Sequence, residues 1–219
     1  MKAIFFSIYV QQFGSLLIAI FGLLHFSKRQ KEIKLLGLYG LYSFIFQFLQ
    51  LFLMKIHISN NTTGDFYVFT ESLILLFFFY WSFKSRIAKK LTLGLAVIYI
   101  CLFSIFTYQH MGEVIGSIRT LRDLMMIICT LIYFYYMITD MPASQITKYP
   151  MFWIMTAFLV FFAGTFVLSL SLDFLVNVLK DDLAFVWTAR NFFRFFFCLV
   201  VSYGLWMDLR LIRAKQAFA

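Results

Sequence analysis

Apolar runs of about 20 residues recur along the whole chain, separated by short polar breaks. A bilayer core roughly 30 Å thick needs about 20 helical residues for one crossing, so each run is long enough to span a membrane. The runs are continuous rather than alternating, which favours helices over the strands of a barrel. Only 13% of the residues are charged, whereas a soluble domain carries about 25%. With a mean hydropathy of +0.87, the chain is expected to be an all-α integral membrane protein.

The polar breaks divide the chain into seven predicted crossings, which form a single seven-helix transmembrane bundle over residues 1–219. Pro150 fits the first turn of the sixth helix, where a missing N–H costs nothing. The first run is interpreted as a retained crossing rather than a signal peptide, because only Lys2 precedes it and the basic cluster follows it. The predicted helices cover about residues 4–26, 35–54, 66–83, 91–108, 116–138, 150–172 and 183–207.

Basic residues are distributed unevenly between the two sides of this arrangement. Twelve lie in the first, third and fifth connections and the C-terminal tail, and three lie in the connections of the other side. Because basic loops stay in the cytoplasm, we expect the N-terminus outside and the C-terminus in the cytoplasm of a bacterial inner membrane. The net charge of +9 is explained by these clusters and by contact with membrane lipids, not by nucleic acid. The twelve are Lys28, Arg29, Lys31, Lys34, Lys84, Arg86, Lys89, Lys90, Lys148, Arg210, Arg213 and Lys215, and the three are Lys2, Lys55 and Lys180.

Ionisable residues inside the predicted crossings concentrate in the half that is expected to face outside. An ionisable side chain within a membrane is costly, so each one needs a partner, a cavity or a function. Glu71 lies about one turn into the third helix, and Arg190 and Arg194 follow one stripe of the seventh helix. Polar residues of the first and second helices are expected at a similar depth in the membrane. The candidate ligand-binding residues are Arg190, Arg194, Asn191, Trp187, Arg119, Arg122, Glu71, Gln11, Gln47 and Gln50.

Two interpretations of this polar layer stay open. In the first, Arg–Glu and Arg–Asp pairs with glutamine bridges form a closed network that fixes helix packing. In the second, four arginines against two intramembrane carboxylates, Glu71 and Asp123, or three if Glu113 reaches in, leave surplus positive charge. A guanidinium does not lose its proton, so a bound anion or a water-filled vestibule would have to offset it. The charge count favours a pocket for a carboxylate, a phosphate or a lipid headgroup.

Other functional classes find less support in the residues. A microbial rhodopsin needs a Schiff-base lysine midway along the seventh helix, and residues 183–209 contain none, so no retinal is expected. Cysteines and histidines are scattered without metal-ligand spacing, so neither a metal nor another cofactor is expected. A membrane-embedded enzyme or a transporter of small solutes or lipids that uses the same pocket stays the alternative to a receptor.

Three stretches of the chain carry a family pattern: Val68–Phe83, Tyr149–Ser171 and Val186–Trp206. The sixth helix starts with Pro-x-Phe-Trp at 150–153 and has Ala-Gly-Thr-Phe at 163–166, and the third helix carries Glu71. This pattern resembles small seven-helix membrane modules of Bacteroidetes-type bacteria, which occur alone or as the sensor part of histidine kinases. The resemblance implies a sensory role. Since 12 residues follow Met207, the effector would be a separate histidine-kinase-like partner or another copy of the chain.

Overall fold

Seven long α-helices make up the part of the chain that the computed structural model describes. The backbone is described for residues 2–56, 61–109, 116–140, 143–178 and 183–217, and the side chains for residues 8–53, 55–56, 63–108, 118–140, 145–171 and 188–214. The prediction of an all-α protein with seven helices is confirmed. Short 3-10 helices, Phe26–Lys28 and Ala143–Lys148, lie in two connections. The long helices are α1 Lys2–Leu23, α2 Lys31–Lys55, α3 Asn61–Ser82, α4 Arg86–Gln109, α5 Gly116–Asp140, α6 Pro150–Val178 and α7 Leu183–Ala217.

Six of these helices, α2 to α7, are long and apolar enough within their described residues to cross a membrane. The chain is therefore a multi-pass membrane protein. The described apolar part of α1, Ile8–Leu23, is shorter than the roughly 20 residues of a full crossing. The apolar spans of the other six cover residues 31–53, 63–82, 86–108, 118–140, 150–171 and 188–214.

Several helices end at other residues than the apolar runs suggest. α1 stops at Leu23, because His25 adopts the left-handed conformation (φ 58°) and turns the chain towards α2. α7 continues ten residues beyond Met207 to Ala217. A helix that has left the apolar layer keeps its backbone hydrogen bonds, so hydropathy alone underestimates its length.

Consecutive helices lie side by side around a ring that α1 and α7 close, and α3 also contacts α5. The closest approach joins α1 and α2, where a Cβ on Gly22 would lie 2.3 Å from the Cα of Gly37. α4 is the most peripheral of the six spans, with 11% of its apolar window buried against 39–44% in the other five.

The two ends of the bundle differ in charge, and we name them accordingly. The basic end carries the α1–α2 and α3–α4 connections and the end of α7, with exposed Lys28, Lys84, Arg86 and Arg213. The other end, where α3, α5 and α7 begin, is called the opposite end.

Aromatic rings fill the interior between the middle of the bundle and the basic end. Phe158 of α6 lies at the centre, with its ring centroid 5.3 Å from that of Phe78, 5.4 Å from Phe79 and 5.2 Å from Phe197. These side chains are almost completely buried. Phe162 lies one turn from Phe158 and borders the polar side chains of the other half. A compact aromatic layer thus forms the floor of the polar region.

Candidate functional site

The Glu71 carboxylate of α3 is the centre of the buried polar region. Its Oε1 accepts hydrogen bonds from Arg194 Nη1 at 2.5 Å, Tyr39 Oη at 2.8 Å and Tyr67 Oη at 3.1 Å. Its Oε2 accepts one from Arg122 Nη1 at 3.1 Å. Glu71 is 1% exposed, and a carboxylate at such a position is stable only when its lone pairs are satisfied in this way. α2, α3, α5 and α7 therefore meet at one carboxyl group.

Arg194 of α7 also organises the two hydroxyls nearest to it. Its Nη2 donates to Tyr67 Oη at 2.6 Å and to Ser43 Oγ at 3.0 Å. The Ser43 and Tyr67 hydroxyls are 2.8 Å apart. The Tyr67 hydroxyl donates its hydrogen bond to Glu71. It therefore accepts the hydrogen bond that the Ser43 hydroxyl donates. The guanidinium also faces the rings of Tyr39 and Phe161 at 5.4 Å.

Arg122 of α5 is held by two carboxylates at once. Its Nε and Nη2 donate to Oδ1 of the adjacent Asp123, at 2.8 Å and 2.6 Å, while Nη1 reaches Glu71. The other carboxylate oxygen of Asp123 accepts a hydrogen bond from Ser169 of α6 at 3.2 Å. Arg122 is 2% exposed and Asp123 is 0% exposed. Two arginines and two carboxylates, Arg122, Arg194, Glu71 and Asp123, thus form a charge-balanced cluster, which we call the central network.

The helical rise explains why these residues meet. Glu71 lies ten residues after the start of α3 and Arg194 eleven residues after the start of α7, and both helices begin at the opposite end. At 1.5 Å per residue both α-carbons lie roughly 15 Å from that end. Their side chains point inward because lipid would leave the charges unsatisfied.

A second ion pair lies closer to the opposite end. Arg119 of α5, one turn before Arg122, places its Nη2 3.5 Å from Oδ1 of Asp65 on α3. The Arg119 side chain is 9% exposed and that of Asp65 is 25% exposed. This pair therefore borders the central network on the side of the opposite end.

Arg190 of α7 differs from the other three arginines of this half. It lies one turn before Arg194 on the same face of the helix and is half-buried. Within the described part of the chain it forms no ion pair with a carboxylate and no hydrogen bond, in contrast to Arg194, Arg122 and Arg119. The charged groups around it are Arg119 and Arg122, which repel its charge, and Asp123 and Glu71, which attract it. Both of these carboxylates are already bound by Arg122 or Arg194.

The other predicted site residues occupy several positions. Gln47 of α2 is 4% exposed and donates to Ser15 Oγ at 3.1 Å, and Ser15 Oγ donates to the backbone oxygen of Gln11 at 3.3 Å. This α1–α2 link lies beside the central network and forms none of its bonds. Gln50 and Asn191 are partly buried and each has an interaction partner. The side chain of Trp187 lies outside the described residues.

The predicted site residues omit Asp123 of the central network and four side chains that are hydrogen-bonded to it: Tyr39, Tyr67, Ser43 and Ser169. A signal for Tyr39, Tyr67 and Ser43 exists in the sequence. Tyr39, Ser43 and Gln47 repeat at four-residue intervals along α2, and Tyr67 precedes Glu71 by four residues in α3, which places each on the face of a candidate residue. Tyrosine is enriched at membrane–water interfaces, so a tyrosine near a helix end does not by itself indicate a buried site.

A separate polar lock lies at the basic end. Arg29, 5% exposed, donates to Oδ2 of Asp208 at 3.0 Å and to the backbone oxygens of Phe21 and Leu24 at 2.5 Å and 2.9 Å. The bonds close the C-terminal end of α1 and tie it to α7. Burial lowers the pKa of Arg29 and Asp208 opposes that change. Arg29, one of the twelve basic residues counted for the orientation, is therefore also a buried residue that ties two helices together.

Chemically, every carboxylate oxygen of the central network accepts a hydrogen bond, whereas Arg194 Nε is buried without a hydrogen-bond partner among the described residues. The carboxylates accept bonds from guanidinium and hydroxyl groups that are themselves fixed, so they are poorly placed to act as a base. Among the described residues, no group of three His, Cys, Asp or Glu side chains is placed to hold a metal ion. Among the described arginines of this region, Arg190 is the one whose guanidinium forms neither an ion pair nor a hydrogen bond with a described residue.

Comparison of the chain with protein-family models, with curated proteins and with solved structures found no match. The resemblance to seven-helix sensory modules stays a prediction. The comparisons and the fold together identify an all-helical protein with six or seven long apolar helices.

Proposed function

We propose that this chain is a receptor-like membrane module that binds the anionic group of a small or amphiphilic ligand at Arg190. The observation that carries the proposal is the contrast between Arg190 and Arg194 on the same face of α7. Arg194 is bound to Glu71 and two hydroxyls, whereas Arg190 has no carboxylate or hydrogen-bond partner among the described residues. An unpaired charge inside a membrane protein is costly to maintain and indicates function.

The charge count supports one anionic group as the occupant. The described spans of this half contain four arginines, at 119, 122, 190 and 194, and three carboxylates, at 65, 71 and 123. The surplus is a single positive charge. A guanidinium holds a carboxylate or a phosphate through two parallel hydrogen bonds, and the nearby Arg119 and Arg122 strengthen the attraction. Carboxylates and phosphate esters are therefore the proposed ligand class.

The central network supplies a rigid base for this site. It joins five helices through hydrogen bonds, and the aromatic layer around Phe158 lies beneath it. A ligand at Arg190 would contact α7 next to Arg194 and thus reach every helix that the network joins. This connection supports a sensory role over simple anion storage.

Orientation and location follow from the basic residues. We infer that the basic end faces the cytoplasm of a bacterial inner membrane, so that Arg190 lies on the outer side, because twelve basic residues lie on that side against three on the other. A separate histidine-kinase-like protein or a second copy would receive the signal at the basic end.

The binding proposal is tested with the full chain in nanodiscs. Thermal unfolding is followed by tryptophan fluorescence while inorganic phosphate, acetate or decanoate is titrated. A ligand at tenfold excess over its dissociation constant stabilises the wild type by about 1.4 kcal/mol, and Arg190→Gln abolishes the effect. Lys55→Gln removes an exposed charge near the same end and serves as the matched control. Equal stabilisation of wild type and Arg190→Gln, or none in either, refutes the site.

The signalling proposal is tested by crosslinking in cells. Reversal of Arg86, Lys89 and Lys90 to Glu should abolish capture of a kinase-like protein without changing the abundance of the chain. Lys55→Glu, at the opposite end, should leave capture unchanged. Capture of lipid alone by the wild type contradicts a protein partner.

A further inference from the structure

An apolar groove runs between α4 and α5 near the basic end and is distinct from the central network. It has a volume of about 410 Å³. α4 contributes residues spaced by one turn, and the last turns of α5 contribute the facing ridge. The groove is open along its side, since Ile87 is 77% exposed and Tyr135 is 65% exposed. Its lining consists of Ile87, Ala88, Leu91, Leu131, Ile132, Tyr135 and Tyr136.

Loose packing of α4 explains why the groove exists. α4 has the least buried apolar window of the six spans, 11%. At Gly94, about one turn beyond Leu91, an added Cβ would meet nothing within 4 Å. The space beside Leu91 and Gly94 is therefore not filled by side chains of the described residues.

Positive charge lies at the mouth of the groove. Arg86 and Lys90, in the first two turns of α4, are exposed, whereas Lys89 extends over the ring of Tyr80 on α3, outside the groove lining, at 5.5 Å. The N-terminal end of α4 adds unpaired backbone N–H groups that favour an anion. Asp140, at the end of α5, is the exposed carboxylate on the facing helix, so positive charge dominates. Charge at headgroup level beside an apolar groove fits an anionic amphiphile.

We propose that the groove between α4 and α5 binds an anionic phospholipid of the adjacent leaflet, with one acyl chain along Leu91 and Leu131 and the phosphate between Arg86 and Lys90. The tyrosines of the lining place their rings where aromatic residues meet headgroups. The bound lipid fills the space that side chains leave open and thereby fixes α4 against α5. This site does not depend on the ligand proposed at Arg190.

Native mass spectrometry of the full chain tests the proposal. The protein is exchanged into detergent that contains equal amounts of phosphatidylglycerol and phosphatidylcholine with the same acyl chains. It should retain one molecule of phosphatidylglycerol, and the complex with phosphatidylglycerol should be at least tenfold more abundant than the complex with phosphatidylcholine. Arg86→Gln with Lys90→Gln should remove this preference, and Leu91→Trp, which fills the groove, should remove retention of both lipids. Arg86→Lys with Lys90→Arg keeps the charge and should keep the preference.

Matched controls test whether the effects are specific to the groove or follow from any loss of charge or any added bulk. Arg210→Gln with Arg213→Gln removes the same charge at the same end on α7, and Leu93→Trp adds the same bulk to an exposed position of α4. Both should retain the lipid as the wild type does. Equal retention of the two lipids by the wild type, equal loss in the controls, or a lipid-free dimer in place of the lipid complex would overturn the proposal. Unchanged size-exclusion profiles and helical circular dichroism establish that the variants are folded.

Discussion

The Arg194 guanidinium and the Glu71 carboxylate, 123 positions apart in the chain, form a hydrogen-bonded ion pair of 2.5 Å inside the bundle. Neither side chain is more than 6% exposed. Truncation of one partner of such a pair leaves the other charge buried without compensation, which costs more than the pair contributes when complete. Comparison of variants at Arg194 and at Arg190 therefore measures the cost of leaving a buried charge without its partner.

Arg194→Ala should destabilise the protein strongly, by about 3–5 kcal/mol, because Glu71 loses its shortest bond and two hydroxyls lose a donor. Arg190→Ala should leave the free energy of unfolding unchanged or raise it, because it removes a charge that has no ion-pair partner among the described residues. Unfolding of both variants in nanodiscs without added anion measures the difference.

The combined variant provides the control for this prediction. Glu71→Gln with Arg194→Gln removes both charges, so it should be more stable than Arg194→Gln alone. An equal loss in Arg190→Ala and Arg194→Ala would show that Arg190 is a structural residue as well.

Arg29→Ala should destabilise the basic end by about 2–4 kcal/mol, because Asp208 and the last carbonyls of α1 lose a charged donor. Arg29→Lys should recover only part of the loss, since an ammonium group lacks the planar fork. Lys28→Ala, at an exposed neighbour, is the control. Protease sensitivity of the α1–α2 connection and thermal unfolding provide the readouts, and equal behaviour of Arg29→Ala and Lys28→Ala would contradict the lock.

Gly22→Leu should separate α1 from α2, because even a Cβ at this position would lie 2.3 Å from Gly37 Cα, a backbone atom that cannot rotate away. Gly94→Leu on α4 is the matched control, since nothing lies within 4 Å of an added Cβ. The control should be neutral or slightly stabilising, because leucine has a higher helix propensity than glycine. Disulfide trapping between cysteines placed in α1 and α2 reports the distance, and unchanged trapping in Gly22→Leu would refute the close contact.

The proposed orientation predicts the activity of reporter fusions. A reporter that works only in the cytoplasm should be active when fused after Arg86 and inactive when fused after Asp65. The reason is the excess of basic residues in the first, third and fifth connections. The reverse pattern, or activity at both positions, would contradict an N-terminus outside.

The sequence predicts the helices and the height of the buried charges well, because the rise per residue is fixed. It does not predict which charges pair. Arg122 binds its neighbour Asp123, although adjacent residues of a helix point about 100° apart, because a guanidinium on a long stem folds back. It also does not distinguish the buried Arg29 from the exposed Lys28, since the difference arises only when α7 lies against the α1–α2 connection.

The length of α7 has a mechanical consequence. Its 35 residues correspond to about 52 Å, against a bilayer core of about 30 Å. Arg190 and Arg194 lie in one half of this rod, and Asp208 and Arg213 lie near its other end. A tilt of about 5° about a pivot at Arg194 moves Arg213 by about 2.5 Å, given 1.5 Å per residue over the intervening turns. In such a tilt Arg213 would move further than Arg190, which lies four residues from the pivot, so a small displacement at the arginines would be amplified towards the basic end.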